Sequence, residues 1–183
     1  LFRSMLERAL GDAIGNKIPT PEPFAAKSGK RVAVIGAGPA GLAFAYHATR
    51  LGHKITVYDR EKMAGGMLRY GIPSYRLPRE IIDREIDSLK RLGIEFKLGN
   101  EVKDAAHLEE IVREYDAAFV ATGAHRSRPM GVSDEKSEGV TSGLNFLKSI
   151  EHSKKINIGS NVLVVGGGNT AIDAARSAKR LGA

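Results

Sequence analysis

The chain has 183 residues, 42% of them hydrophobic and 27% charged, which is globular composition and excludes a disordered tail or a chain of membrane spans. Net charge is +7, yet no basic run exceeds a pair such as Lys154-Lys155 and no aromatics interleave with basic residues, so the excess reads as scattered solvated charge rather than a nucleic-acid surface. Cysteine is absent, which removes disulfides, thiolate clusters and dithiol relays from this chain, and its histidines (His47, His53, His107, His125, His152) lack ligand spacing, so no metal site is expected.

In chain order, residues 2–14 carry Phe2, Met5, Leu6, Ala9 and Leu10 at helical spacing before Gly11 and Gly15. The prolines of 18–23 forbid helix and read as a connector. Residues 31–35 form a short apolar run, a buried strand; 42–51 read as helix and 54–58 as a second, β-branched strand. Residues 60–78, with Gly65, Gly66, Gly71, Pro73 and Pro78, read as a long loop of the kind that is functional or disordered. Then follow a helix over 79–92, with Ile82, Ile86 and Leu89 on one face, a strand over 94–98, a helix over 108–115 and a strand over 117–121. A helix near 144–150, a buried strand over 162–165 and a helix over 170–181 complete the series. Alternating strands and helices predict an α/β fold with a Rossmann-like parallel sheet. The chain begins at Leu1 without Met and stops just after a predicted helix, so both ends are expected to be cut.

Gly36-Ala37-Gly38-Pro39-Ala40-Gly41 fits G-x-G-x-x-G and ends a predicted strand where a helix opens. Gly36 permits the tight turn, Gly38 lets a pyrophosphate approach the backbone, and Gly41 lets helix and strand pack closely, with the amides of the helix start facing the phosphates. The ribose-binding acid should end the next strand about 20 residues on; Asp59 stands 18 residues after Gly41. FAD and a nicotinamide nucleotide both use this fingerprint, and spacing alone does not choose. The doublet Gly65-Gly66 just past Asp59 offers flexible backbone to a longer cofactor. A second turn, Gly166-Gly167-Gly168-Asn169-Thr170-Ala171, repeats strand, glycines and helix, with the alanine that the third fingerprint position allows.

These residues resemble the glutamate synthase small-subunit family of FAD/NAD(P)H oxidoreductases. That family includes the FAD/NADPH part of dihydropyrimidine dehydrogenase and subunits of NADH-dependent ferredoxin:NADP oxidoreductases. The shared features are V-A-V-I-G-A-G-P-A-G-L (32–42), V-Y-D-R (57–60), G-G-M-L (65–68), Y-G-I-P-S-Y-R-L-P (70–78), L-G-I-E-F (92–96), A-T-G-A (121–124) and G-G-G-N-T-A-I-D-A-A-R (166–176). The resemblance implies that Gly36, Gly38, Pro39, Ala40 and Gly41 hold the FAD pyrophosphate, and that Asp59, with Arg60 beside it, meets the adenosine ribose. Gly66, Met67 and Leu68 would line the cofactor beyond the phosphates, Arg76 would touch FAD, and Val102 would fall where a backbone segment packs at the adenine. Ala121, Thr122 and Gly123 would return the chain past the cofactor, while Gly167, Gly168, Asn169 and Thr170 would meet the pyrophosphate of NAD(P)H. It further implies three segments: a helical remnant and connector (1–29), the N-terminal part of an FAD-binding domain (30–130), and the incomplete start of an NAD(P)H-binding domain (131–183).

The function so implied is an FAD-dependent oxidoreductase that passes electrons between NAD(P)H and iron–sulfur centres or a partner subunit. It needs no catalytic side chain, because the cofactors carry the chemistry. A larger redox partner and a cytoplasmic location go with it. The rival reading is a non-catalytic dinucleotide-binding docking module of a redox complex, which would bind cofactor without turnover. A dithiol flavoprotein is disfavoured, because its C-x-x-C pair has no counterpart in residues 125–160.

Overall fold

The computed structural model describes residues 2–15, 22–152 and 156–183. Four parallel strands, β1 (Arg31–Ile35), β2 (Lys54–Asp59), β3 (Glu95–Leu98) and β4 (Ala117–Val120), form one sheet in the order β3-β2-β1-β4. β1 is central, with Val32 opposite both Ile55 and Ala117. The chain adds β2 and β3 on one side of β1, then crosses back to lay β4 on the other. That reversal opens a crevice at the carboxyl ends of β1 and β4, the place where open α/β sheets take their ligands.

Alternation along β1 sends its side chains to two cores. Val32 and Val34 join Ile55, Val57, Ala45, Ala48, Ile82, Ile86 and Ile94 on one face. Ala33 and Ile35 meet Tyr58 and Ile111 on the other. A strand buried on both faces reads as a continuous apolar run, which is why R-V-A-V-I shows no polar alternation. The first core is covered by α2 (Pro39–Arg50) and α4 (Arg79–Arg91), where Ile82 and Ile86 are the buried residues, and the second by α5 (Ala105–Arg113). Phe44 of α2 stacks on Phe119 of β4 with ring centroids 4.1 Å apart. The α-helix over the start of the chain, α1 (Phe2–Ile14), is as expected, and its Met5, Leu6, Leu10 and Ile14 are exposed. The proline connector lies mostly outside the described residues. No helix among the described residues is long and apolar enough to cross a membrane.

Two expectations are corrected. The loop over 60–78 is not structureless: it contains α3 (Met67–Tyr70) and is pinned throughout. Gly65 donates its amide to the carbonyl of Ala37 at 2.8 Å. The Arg79 guanidinium donates to the carbonyls of Leu68, Ile72 and Leu77 and forks onto Glu151 at 2.9–3.2 Å. Segment 162–165 is not a buried strand. It joins no ladder, and Leu163 is 90% and Val165 68% exposed. A strand holds its backbone only by pairing, and this segment pairs with none of the four strands of the sheet.

Arg79 opens α4, where the helix dipole disfavours a cation. Three carbonyls and the Glu151 carboxylate offset that. Arg79→Ala strands the Glu151 carboxylate and three carbonyls, so we expect a loss of about 2–3 kcal/mol in urea unfolding, with new proteolytic cleavage inside 66–78.

Candidate functional site

The site starts at the turn after β1. Gly36 has φ +115°, and a Cβ there would overlap the carbonyl oxygen of Ala121 on the adjacent strand end. Gly38 caps α2 with φ −83° and ψ −178°, and no side chain caps the helix. Pro39 occupies the first helical turn, where its missing N–H costs nothing. The first intrahelical bond is from Leu42 N–H to Gly38 C=O at 2.9 Å, so the amides of Ala40 and Gly41 precede the helical ladder. A Cβ on Gly41 would overlap the carbonyl oxygen of Gly36.

Three of these glycines are therefore required by the protein itself: Gly36, Gly41, and Gly66, whose Cβ would lie 2.7 Å from the Cα of Gly38 and whose φ is +51°. Gly38 is different. Its conformation suits any L-residue, and a Cβ would meet nothing nearer than Gly66 Cα at 3.8 Å.

Asp59, at the end of β2, turns its carboxylate to this bend. Oδ2 accepts from Ala37 N–H at 2.6 Å and Oδ1 from Glu61 N–H at 2.8 Å, and each oxygen keeps a second lone pair. Arg60 lies beside Glu61 at 3.7 Å, half exposed. Glu61 is mostly buried and also takes Lys148 at 2.6 Å and His152 at 3.4 Å, tying α6 (Gly143–His152) to the end of β2. Met67 and Leu68 open α3 directly after Gly66. Ala121 donates to Ile35 C=O at 2.8 Å, Thr122 is exposed, and Gly123 takes φ +70° beside the His125 ring. Burial, reinforced by Arg60 and Lys148, pushes the His125 imidazole below its ordinary pKa.

The structure brings Gly36, Gly38, Asp59, Gly66 and Ala121 together at this bend, while Leu68 packs against the Val32–Val34–Ile55 core and two further residues lie elsewhere. Val102 packs against the Ala33–Ile35–Tyr58–Ile111 core on the face covered by α5. Arg76 points its Nη1 at Asp173 Oδ2, 2.7 Å away on α7 (Asn169–Arg180).

The second motif repeats the first in backbone geometry. Gly166 has φ +124° where Gly36 has +115°, and Gly168 caps α7 with φ −78° and ψ 172°, matching Gly38. Gly167 and Gly168 have open space where a Cβ would stand, and Asn169 and Thr170 are exposed at the helix start. Sequence reasoning did not single out Arg79, Glu61, Lys148 or Asp173. For Arg79 a signal existed: a cation at a helix start immediately after proline.

Comparison with known proteins places this geometry. The pyridine nucleotide-disulphide oxidoreductase family matches residues 30–183. The "NADP(+)-dependent formate dehydrogenase subunit beta" of Moorella thermoacetica is 47% identical over 165 residues, 88% of this chain and 23% of that protein. The "Glutamate synthase [NADPH] small chain" of Escherichia coli (strain K12) is 39% identical over 170 residues, 86% of this chain and 36% of that protein. Among solved structures, a 2-naphthoyl-CoA reductase complex superposes with a TM-score of 0.71 at 28% identity, covering 88% of this chain and 23% of that one. The chain thus spans roughly a quarter to a third of the curated relatives it matches. It bears the sequence likeness to glutamate synthase small chains expected from its motifs, and it belongs to the pyridine nucleotide-disulphide oxidoreductase family.

Proposed function

We propose that residues 30–130 form the N-terminal part of an FAD-binding domain and 131–183 the start of an NAD(P)H-binding one. The parent protein is then an FAD-dependent oxidoreductase passing electrons between NAD(P)H and iron–sulfur centres or a partner subunit. One observation carries this reading: Gly38 is a glycine that nothing among the described residues requires, set beside uncapped amides and an acid aimed at the same bend. A dianionic linker needs that bare approach, and helix-start amides favour its charge. The residues therefore fit the dinucleotide.

In this reading the amides from Gly38 to Gly41 bind the pyrophosphate and Asp59 the ribose hydroxyls through its spare lone pairs. Arg60 lies at that end, and Gly66, Met67 and Leu68 lie along the cofactor's path. Ala121, Thr122 and Gly123 close the β4 side. Gly167, Gly168, Asn169 and Thr170 take the second nucleotide in the same way, and the relatives' names favour NADP(H) over NAD(H). The flavin supplies the hydride and electron chemistry when bound. What the chain supplies is attachment and orientation. Electron delivery to a partner subunit follows the relatives' names, two of which denote subunits or chains of larger enzymes.

The direct test is flavin content. The purified protein should carry, or take up, FAD with its visible absorbance; a colourless protein indifferent to added FAD contradicts the reading. Asp59→Asn should weaken FAD about tenfold or more, the worth of a hydrogen bond to a charged acceptor, as read by flavin fluorescence titration. Unchanged affinity would remove Asp59 from the site.

A further inference from the structure

We infer that Asp173 is a positioning residue that ties the loop lining the first dinucleotide turn to the helix carrying the second, through Arg76 and Tyr75. This rests on the reading above and extends it to how the two nucleotides are held in register.

An unbroken run of contacts joins the two motifs. Gly66 lies against Gly38, and Gly65 donates to Ala37. α3 follows at once, and Arg79 holds the carbonyls of Leu68, Ile72 and Leu77, so the segment that begins against the first turn is held along its length to the start of α4. At its far end Arg76 meets Asp173 at 2.7 Å. The Tyr75 hydroxyl donates to the Asp173 carbonyl at 3.4 Å, and the Tyr75 ring lies under two cations, Arg180 at 3.9 Å and Arg176 at 4.9 Å from its centroid. Asp173 sits five residues past Gly168, within the opening turns of α7. Fixing Asp173 therefore fixes the amides at that helix start.

The placement of Asp173 is costly for a surface ion pair. Its side chain is only 6% exposed, and its Oδ1 has no hydrogen-bond partner among the described residues. A buried carboxylate with a bare oxygen is destabilising, and such a cost is accounted for by a function that depends on the group. Arg76 itself is 43% exposed, so the ion pair joins a half-exposed loop cation to a buried carboxylate of the helix. Hydride transfer between two bound rings tolerates little misplacement, and a loop shared by both sites is a device for setting that distance. Tyr75 and its two arginines add a contact that a lone ion pair would lack, since guanidinium groups over an aromatic face are attracted by its quadrupole.

The test compares the intact wild-type protein with Arg76→Gln, Asp173→Asn and the double variant. In cofactor-free protein, hydrogen exchange of 169–180 should quicken about tenfold in Arg76→Gln while α2 is unchanged, since losing a charge-assisted bond frees the local unit only. Equal exchange in α7 overturns the tie, and this arm stands even if Asp173→Asn fails to fold. In FAD-loaded protein, calorimetric titration with NADP+ should show each single variant weakened about five- to tenfold and the double variant no weaker than either, the mark of one shared interaction. Additive losses overturn the shared role, and Arg76→Lys should recover part of the affinity. A wild type that takes up no FAD defeats the proposed function instead, and leaves the exchange arm to decide the tie.

Discussion

Gly38→Ala is expected to weaken FAD binding by about 10- to 100-fold, the effect of about 1–3 kcal/mol of overpacking at a close approach. The same variant should unfold in urea at the wild-type midpoint or slightly above. Both halves follow from the backbone. Gly38 sits at φ −83°, where alanine is unstrained, and its Cβ would touch only Gly66 Cα at an ordinary 3.8 Å. Removing a glycine where the native conformation allows it lowers the entropy of the unfolded chain and stabilises by about 0.4–1 kcal/mol. Stability preserved with affinity lost would mean that the space beside Gly38 belongs to a ligand. Affinity preserved would mean that the cofactor passes elsewhere.

Gly41→Ala should do the opposite. A methyl there overlaps the Gly36 carbonyl oxygen and lies 3.1 Å from a Val34 methyl, so α2 must lift from β1. Both obstacles are at the centre of the sheet, and one is backbone. We expect a loss of about 3 kcal/mol or more, the upper end of overpacking costs, a large part of the roughly 5–15 kcal/mol that holds a domain together. A chemical denaturation curve, run with the cofactor-free protein, reads it directly. A midpoint within error of wild type would show that helix and strand do not pack as described. The two glycines lie three positions apart in one motif, and the contrast separates what the motif does for the fold from what it does for a ligand.

Much of this architecture was legible in the residues. β1 could be read because a strand covered on both faces must be apolar throughout, and 31–35 is short and bounded by glycine. The turn could be read because its glycines, the helix behind it and Asp59 on the next strand are needed together. The side chain of Asp59 does face the bend. Segment 162–165 misled for the converse reason. Its composition is that of a buried strand, but composition cannot show whether a neighbour is present to pair with it, and here it stands exposed. The order in the 60–78 loop was also hidden. Glycine and proline announce a break in regular structure, whereas the order here comes from one guanidinium reaching carbonyls of the loop and a carboxylate 72 residues away. Arg76 shows a related limit: its motif suggested a cofactor contact, while its partner in the structure, Asp173, is 97 residues away. Long-range ion pairs leave no trace in local spacing.

The central position of β1 also orders the assembly of the protein. Its two neighbours come from β2, a single helix downstream, and from β4, whose junction with β1 is marked by Lys30 and Asp116, 86 residues apart. A chain emerging from the ribosome can form the β1–α2–β2 unit early, since that contact closes a short loop. The crevice between β1 and β4 does not exist until the later strand docks and Ala121 comes to lie against Gly36. If the proposed site is the right one, cofactor capture waits for the last step of sheet assembly, and acquisition of flavin becomes a report that the nascent sheet is complete.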